Sequence, residues 1–313
     1  MPPTRPLRDS PTRMSERPSP IERLLAPPGA ARIAQRVRSR GAGFRGLLRE
    51  FAPAPTLGES PPLLPDRTAG ELCVASWNLH KCVGADGRFD PARSVAVIAE
   101  LDADIVALQE ADKRFGRRSG LLDLHALERA TGLAPLHVSD LADGHGWHGN
   151  ALLVRRGTHA RFRRLALPGA EPRGALVAEL ALAEGPLRVV AAHLGLLRRC
   201  RTRQIETILR ILHESPPMPT LLLGDLNEWR PGARSSLRAL EPVFGPVPPA
   251  PPSFPARLPL LPLDRILGWP HGLVSDVRVH RSRQAAHASD HLPLTARVRL
   301  GAAARAEALS QAA

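Results

Sequence analysis

Gly174-Ala175-Leu176-Val177-Ala178-Glu179-Leu180-Ala181-Leu182 is followed closely by Leu187-Arg188-Val189-Val190-Ala191-Ala192-His193. Both runs are rich in Val, Leu and Ala and read as buried strands, with no helix between them. The same texture extends outward. Leu72 to Trp77, Asp104 to Leu108 and Ala151 to Arg155 precede them as strands. Thr220 to Leu223, Leu263 to Leu267, Val274 to Val279 and Pro293 to Leu300 follow. Helices are few. Pro91 opens one, with Val95, Ile98 and Leu101 on a single face. His125 to Thr131 is a short one that stops at Gly132. Residues 203–213 place Ile205, Ile208, Leu209 and Leu212 at helical spacing, and Ala233 to Leu240 reads as a further helix. Strands in adjacent blocks predict an α/β chain of the α+β type. The expected architecture is two sheets face to face with helices outside, rather than one doubly wound sheet.

The flanks differ in composition. Residues 1–68 are rich in Pro, Arg and Gly, with 12 Arg against 6 acids. Proline removes a backbone donor and blocks helices, so this part is read as a disordered basic extension, with a short helix around Ile33 to Phe51. Residues 69–300 form the folded domain, and 301–313 an Ala-rich tail that frays or is disordered. The whole chain has 313 residues and a net charge of +13. Its 43 basic side chains are all Arg except Lys81 and Lys113, which fits a bias of composition as well as it fits an anionic partner. No apolar run reaches the roughly 20 residues of a membrane-spanning helix. The N-terminus lacks a signal-peptide core, and Cys73, Cys82 and Cys200 are too few for a disulfide framework. A cytoplasmic location is the expectation. The chain has no Tyr and no basic stretch interleaved with aromatics, so stacking platforms for single strands are not indicated.

The chemistry lies where polar residues stop the strands. Asn78 ends the first and Glu110 the second. His193 ends another, and Asp225 and Asn227 stand in Gly224-Asp225-Leu226-Asn227. Asp264 sits inside an apolar run, and Ser289-Asp290-His291 precedes the last strand. A strand is apolar because it is buried, and its end is where a polar group can face a cleft. On one rim these groups supply what metal-assisted phosphoester hydrolysis needs. Glu110 and the amide oxygen of Asn78 suit a hard dication, Asp225 and His291 suit the orientation or deprotonation of water, and His193, Asn227 and Arg173 suit the developing charge.

Eight segments occur in a telling order: Trp77-Asn78-Leu79-His80, Leu108-Gln109-Glu110, Gly149-Asn150-Ala151-Leu152-Leu153, Arg173-Gly174-Ala175, Ala192-His193-Leu194, Gly224-Asp225-Leu226-Asn227, Leu263-Asp264-Arg265-Ile266 and Ser289-Asp290-His291. Over about residues 70–300 the chain thereby resembles the endonuclease/exonuclease/phosphatase superfamily, the group of DNase I, exonuclease III-type AP endonucleases, neutral sphingomyelinases and inositol polyphosphate 5-phosphatases. The resemblance implies a DNase I-like four-layered sandwich, with two mixed β-sheets flanked by helices and the site at one end. It implies Mg²⁺ or Mn²⁺ at Glu110, with Asn78 beside it and Asp290 near. It implies that Asp225 handles the attacking water, that Asn227 steadies the transition state, and that Asp264 holds His291, which contacts the phosphate or acts as a base. His193 falls where some members carry a general acid. Arg173, Asn150 and His148 are implied as substrate contacts. The chain departs from the pattern at His80, where some members have Asp, and at His148, where an aromatic residue is common. His80 could reach the metal or a phosphate, and is read foremost as a turn residue.

The implied activity is a metal-dependent phosphoesterase, foremost a phosphodiesterase acting through metal-activated water. Its substrate is a nucleic acid, a phospholipid head group or a small phosphodiester, and no obligate protein partner is legible. The absence of Tyr disfavours an AP endonuclease, and no apolar hairpin suited to a membrane substrate stands out. The alternative is a non-catalytic family fold whose Arg-rich extension binds nucleic acid or a membrane surface. Plainer structural roles are open to single residues: Asn78 and Asn227 as turn caps, Glu110 as a partner of Arg114, Asp264 as a partner of Arg265.

Overall fold

The computed structural model describes residues 70–113 and 118–301. The expectations for the N-terminal extension, for Arg114 and for the tail beyond residue 301 lie outside the described residues.

Two mixed sheets form the centre. The first has the order β10-β11-β1-β2-β4-β3. Its strands are β1 (Glu71–Asn78), β2 (Ile105–Gln109), β3 (Leu133–Pro135), β4 (Ala151–Arg155), β10 (Val274–Val279) and β11 (Leu294–Arg299). The second has the order β5-β6-β7-β8-β9. It contains β5 (His159–Leu167), β6 (Arg173–Leu182), β7 (Gly185–His193), β8 (Thr220–Asp225) and β9 (Asp264–Trp269). Among the described residues, only β1/β2 and β7/β8 pair in parallel; the other strand pairs are antiparallel.

Both faces of the central strands are covered, which is why they read as continuous apolar runs. Val74, Ile105 and Leu152 from the first sheet meet Leu176, Val189 and Leu223 from the second in one shared core. On the outer side of the first sheet, Trp77 and Leu108 pack with Val97 and Ile98 of α1 (Pro91–Glu100) and Leu127 of α2 (Leu124–Thr131). On the outer side of the second, Val190 and Leu222 pack with Ile205 and Ile208 of α3 (Arg198–Glu214). The result is helix, sheet, sheet, helix. No helix among the described residues is long and apolar enough to cross a membrane.

Local rules account for most boundaries. Asp90 caps α1, accepting from Arg93 N at 3.0 Å, and Pro91 stands at its first position. Gly132 ends α2 at φ +68°. Gly224 takes φ +147°, and a Cβ there would stand 1.8 Å from Ala192 O, so only glycine lets β8 lie against β7 beside Asp225.

Three expectations need correction. The helix over Ala233 to Leu240 is two 3-10 turns, Gly232–Arg234 and Ser236–Leu240, leading to a single α-helical turn, α4 (Glu241–Phe244). Ser235 restarts the chain between them by accepting from Leu237 N. The amphipathic helix starts earlier than residue 203, at Arg198. Finally, β5 and β3 are strands that hydrophobic texture does not reveal. β5 is an edge strand, and its Arg161, Phe162, Arg163 and Arg164 are exposed.

Candidate active site

The parallel pairs β1/β2 and β7/β8 end at the same edge of the sandwich, and the polar residues that stop them meet there. Strand register brings three of them together. His193 pairs with Asp225 across β7/β8, and Asp225 with Asp264 across β8/β9. All three are almost wholly buried.

Around Asp225 the side chains form one connected run. Asn78 Nδ2 donates to Asp225 Oδ2 at 3.0 Å, which joins the first sheet to the second. His193 Nε2 lies 3.4 Å from the same oxygen, and His291 Nε2 lies 3.8 Å from it. The other Asp225 oxygen accepts from Asn227 N at 3.0 Å. His291 Nδ1 meets Asp264 Oδ2 at 2.9 Å, and Ser253 Oγ donates to that same oxygen at 2.5 Å. Burial pushes the Asp225 carboxyl up, and the Asp264 charge adds to this; His291 and the Asn78 amide pull it back, and the balance stands at about 6. Burial disfavours charge on His291, but Asp264, Asp225 and Asp290 outweigh it and raise the ring to about 10. The surrounding carboxylates thus favour the protonated ring.

A cleft opens beside this run, lined by Lys81, Glu110, Arg118, His148, Arg173 and His193. Arg173 Nη1 stands 2.9 and 2.8 Å from the two ring nitrogens of His193. Glu171 Oε2 accepts from Arg173 Nε at 3.1 Å and Nη2 at 2.7 Å. A guanidinium has no lone pair to offer, so a ring nitrogen that it serves accepts rather than donates. Arg118 Nη1 sits 2.8 Å from His148 Nδ1, and burial together with that guanidinium lowers the His148 ring's proton affinity. Lys81 Nζ donates to Glu110 Oε2.

The remaining candidates lie outside this run and its cleft. Asn150 is fully buried; its Nδ2 donates to Gly174 O at 2.9 Å and Trp147 O at 3.3 Å, which ties the start of β4 to the start of β6. Asp290 is partly exposed, with Oδ1 3.7 Å from His80 Nδ1. His80 itself meets Val83 O at 3.0 Å within its turn. Both asparagine sites combine a turn with a partner. Asn78 Oδ1 accepts from His80 N, and Asn227 Nδ2 donates to Leu194 O at 2.9 Å. Arg265 does not pair with the Asp264 carboxylate; it serves the carbonyls of Asp264 and Glu228.

Four participants were not legible as site residues: Lys81, Arg118, Asp112 and Ser253. Asp112 is buried behind Glu110, where its Oδ2 accepts from Gly149 N at 3.0 Å, and burial raises its carboxyl. Only Lys81 carried a signal, as one of two lysines in an arginine chain.

The Endonuclease/Exonuclease/phosphatase family profile matches residues 75–291. The chain belongs to this family. The uncharacterized protein YbhP of Escherichia coli (strain K12) is 30% identical over 261 residues, which span 76% of this chain and 100% of that protein. Among solved structures, an endonuclease/exonuclease/phosphatase from Beutenbergia cavernae superposes with a TM-score of 0.56 at 24% identity, over 74% of this chain and 72% of that one. TDP2 of D. rerio, complexed with a single-stranded DNA product, superposes with a TM-score of 0.52 at 16% identity, over 72% and 98%. These superpositions establish the DNase I-like fold. Family membership supports a hydrolase acting on phosphoester bonds, and enzymes of the family commonly use divalent metals.

Whether a dication fits can be judged from the donors. Among the described residues, no group of three or more His, Cys, Asp or Glu is placed to hold a metal. The donors present, the Glu110 carboxylate and the Asn78 amide oxygen, are hard oxygen ligands of the kind that Mg²⁺ or Mn²⁺ takes, with water and substrate phosphate in the remaining positions. Glu110 already carries a cation's charge on one oxygen, supplied by Lys81, so the position accepts positive charge.

Proposed function

We propose that the chain is a metal-dependent phosphodiesterase. The observation that carries this reading is the unbroken run Asn78–Asp225–His291–Asp264 at the strand ends, beside a cleft lined with cationic side chains. Glu110, with Asn78 and Asp290, would hold the Mg²⁺ or Mn²⁺, which would polarise the phosphate and neutralise charge at the oxygens.

The chain's own groups divide the remaining work. Asp264 and Ser253 fix the His291 ring, so its Nε2–H points toward the space beside Asp225. As an imidazolium it donates to a phosphate oxygen as charge builds there. Asp225, made more basic by burial, takes the proton of the attacking water. Arg173 serves His193, so His193 positions the guanidinium toward the phosphate, in place of the general-acid role that the resemblance implied. Arg118 and Arg173 bind the substrate's anionic groups. His148 orients Arg118, and Asn150 braces the strand starts beneath both.

The test is hydrolysis of bis(p-nitrophenyl) phosphate, p-nitrophenyl phosphate and plasmid DNA with Mg²⁺, Mn²⁺ or EDTA. Turnover should need metal, fall by about 10²-fold or more in Glu110→Ala, and favour a diester. Turnover unaffected by EDTA would overturn the metal-dependent reading. Preference for the monoester would overturn the diester assignment.

A further inference from the structure

Lys81 is rooted in an unusual piece of backbone. His80, Lys81 and Cys82 take φ values of +47°, +56° and +58° in succession, and none is glycine. Such residues cost on the order of 1 kcal/mol each and persist only where their surroundings hold them. Here Leu79 N donates to Gln109 O at 2.9 Å, Cys82 N to Leu79 O at 2.9 Å, and Asp90 N to Cys82 O at 2.8 Å. The Cys82 side chain is fully buried. The root of Lys81 is thus fixed, and only its four-carbon stem can move.

The far end of that stem meets Glu110 within reach of solvent. The Lys81 and Glu110 side chains are 37% and 18% exposed, and a partly solvated pair of this kind costs less to open than a fully buried one. Both line the cleft that Arg118, His148 and Arg173 share. The choice of side chain is informative as well. Of 43 basic residues only Lys81 and Lys113 escape arginine. A guanidinium would grip Glu110 as a planar fork, whereas an ammonium is a compact charge on a flexible stem that can change partners.

We infer that Lys81 is an exchangeable cation: it holds Glu110 until a divalent metal takes that carboxylate, and then turns its ammonium to a non-bridging oxygen of the bound phosphate. This rests on the metal-dependent reading above. In that role one side chain keeps Glu110 from standing unpaired before the metal arrives and afterwards adds a second positive charge at the phosphate.

The full chain, grown with ¹³C-labelled lysine, gives two lysine side-chain signals, assigned by Lys113→Arg. Adding Mg²⁺ should move the Lys81 signal and leave Lys113 in place, and inorganic phosphate should then move Lys81 again. By calorimetry, Lys81→Met should bind Mg²⁺ roughly threefold more tightly than wild type, because its competitor is gone. The same variant should hydrolyse the diester more slowly. A Lys81 signal that stays still at Mg²⁺ saturation, or a Lys81→Met variant that binds Mg²⁺ no tighter, overturns the inference. If Glu110→Ala abolishes Mg²⁺ uptake while Lys81 stays still, the metal-dependent reading stands and only this inference falls. If wild type takes up no Mg²⁺, both fall.

Discussion

The two sides of the cleft are built on opposite plans. Behind Asp225 and Asn227, the chain is bolted to α3. Arg201, 1% exposed, donates to Glu228, 0% exposed, at 2.9 Å. Glu228 also accepts from Ser236 N, Ser236 Oγ and Arg230 N, at 2.9, 2.8 and 3.1 Å. Arg201 further serves the carbonyls of Gly195 and Leu196. Every member of that group is satisfied, which is the condition under which a buried polar network rigidifies a structure. Across the cleft, Lys81 and Glu110 form a partly solvated pair on left-handed backbone, with Glu110 itself at φ +54°. Asp225, assigned the proton of the attacking water, ends its strand three residues before the Glu228 of this closed network, whereas Lys81, assigned to manage charge, hangs from a fixed root by a long side chain. Proton transfer needs a fixed geometry, whereas charge compensation tolerates and uses rearrangement.

That contrast can be broken by measurement. The largest effect expected is on turnover. His291→Ala and Asp225→Asn should each lower kcat by about 10³-fold while leaving Mg²⁺ binding measurable by calorimetry. A loss of only a few fold in both would remove the rigid side from the chemistry.

Next in size is stability. Arg201→Met removes the buried cation from Glu228, leaving it only the partly exposed Arg230 guanidinium at 3.6 Å, and should cost about 3 kcal/mol in denaturant unfolding. Lys81→Met should cost less than about 1 kcal/mol, because its pair is partly exposed. Equal costs would erase the distinction between the two sides.

The pH dependence sharpens the same point. Burial works to raise the Glu228 carboxyl, but the donors from Ser236, Arg201 and Arg230 outweigh it and hold it at about 2, below the ordinary 4.5. The folded chain therefore binds fewer protons here than the unfolded chain does. The stabilisation is complete above about pH 4.5 and is lost as pH falls toward 2. Glu228→Gln should flatten that part of the stability–pH curve. A slope identical to wild type would show that Glu228 is not the anion the network needs.

The central strands were legible because both their faces are buried, and their polar ends were legible because Asn78, Glu110, His193 and Asp225 interrupt apolar runs. β5 was not, because an edge strand keeps arginines at 161, 163 and 164 and buries only Leu165 and Leu167 well. The helix expected after Ala233 failed where a serine competed for the backbone, a local contest that apolar spacing does not register. Lys81 and Arg118 were missed for a different reason. Their loops have no periodicity, and it is the reach of a long side chain that brings each to the cleft. Ser253 is recognisable only once the Pro-rich loop has folded back on Asp264, 11 residues later in the chain.

One pair of contacts bears on the order of events at synthesis. Trp77 Nε1 donates to His291 O, 214 residues away, and Ser289 Oγ donates to Asn78 O, 211 residues away. The first strand is also completed by the last, β11, which pairs with it along its length. Contacts so distant in sequence form only after the intervening chain exists. A nascent chain on the ribosome, or a fragment cut short before residue 291, can display Asn78, Glu110 and Asp225 yet has no His291 ring to set beside them. On the proposed mechanism, a chain that stops short of His291 turns over no substrate, however well its earlier strands pair.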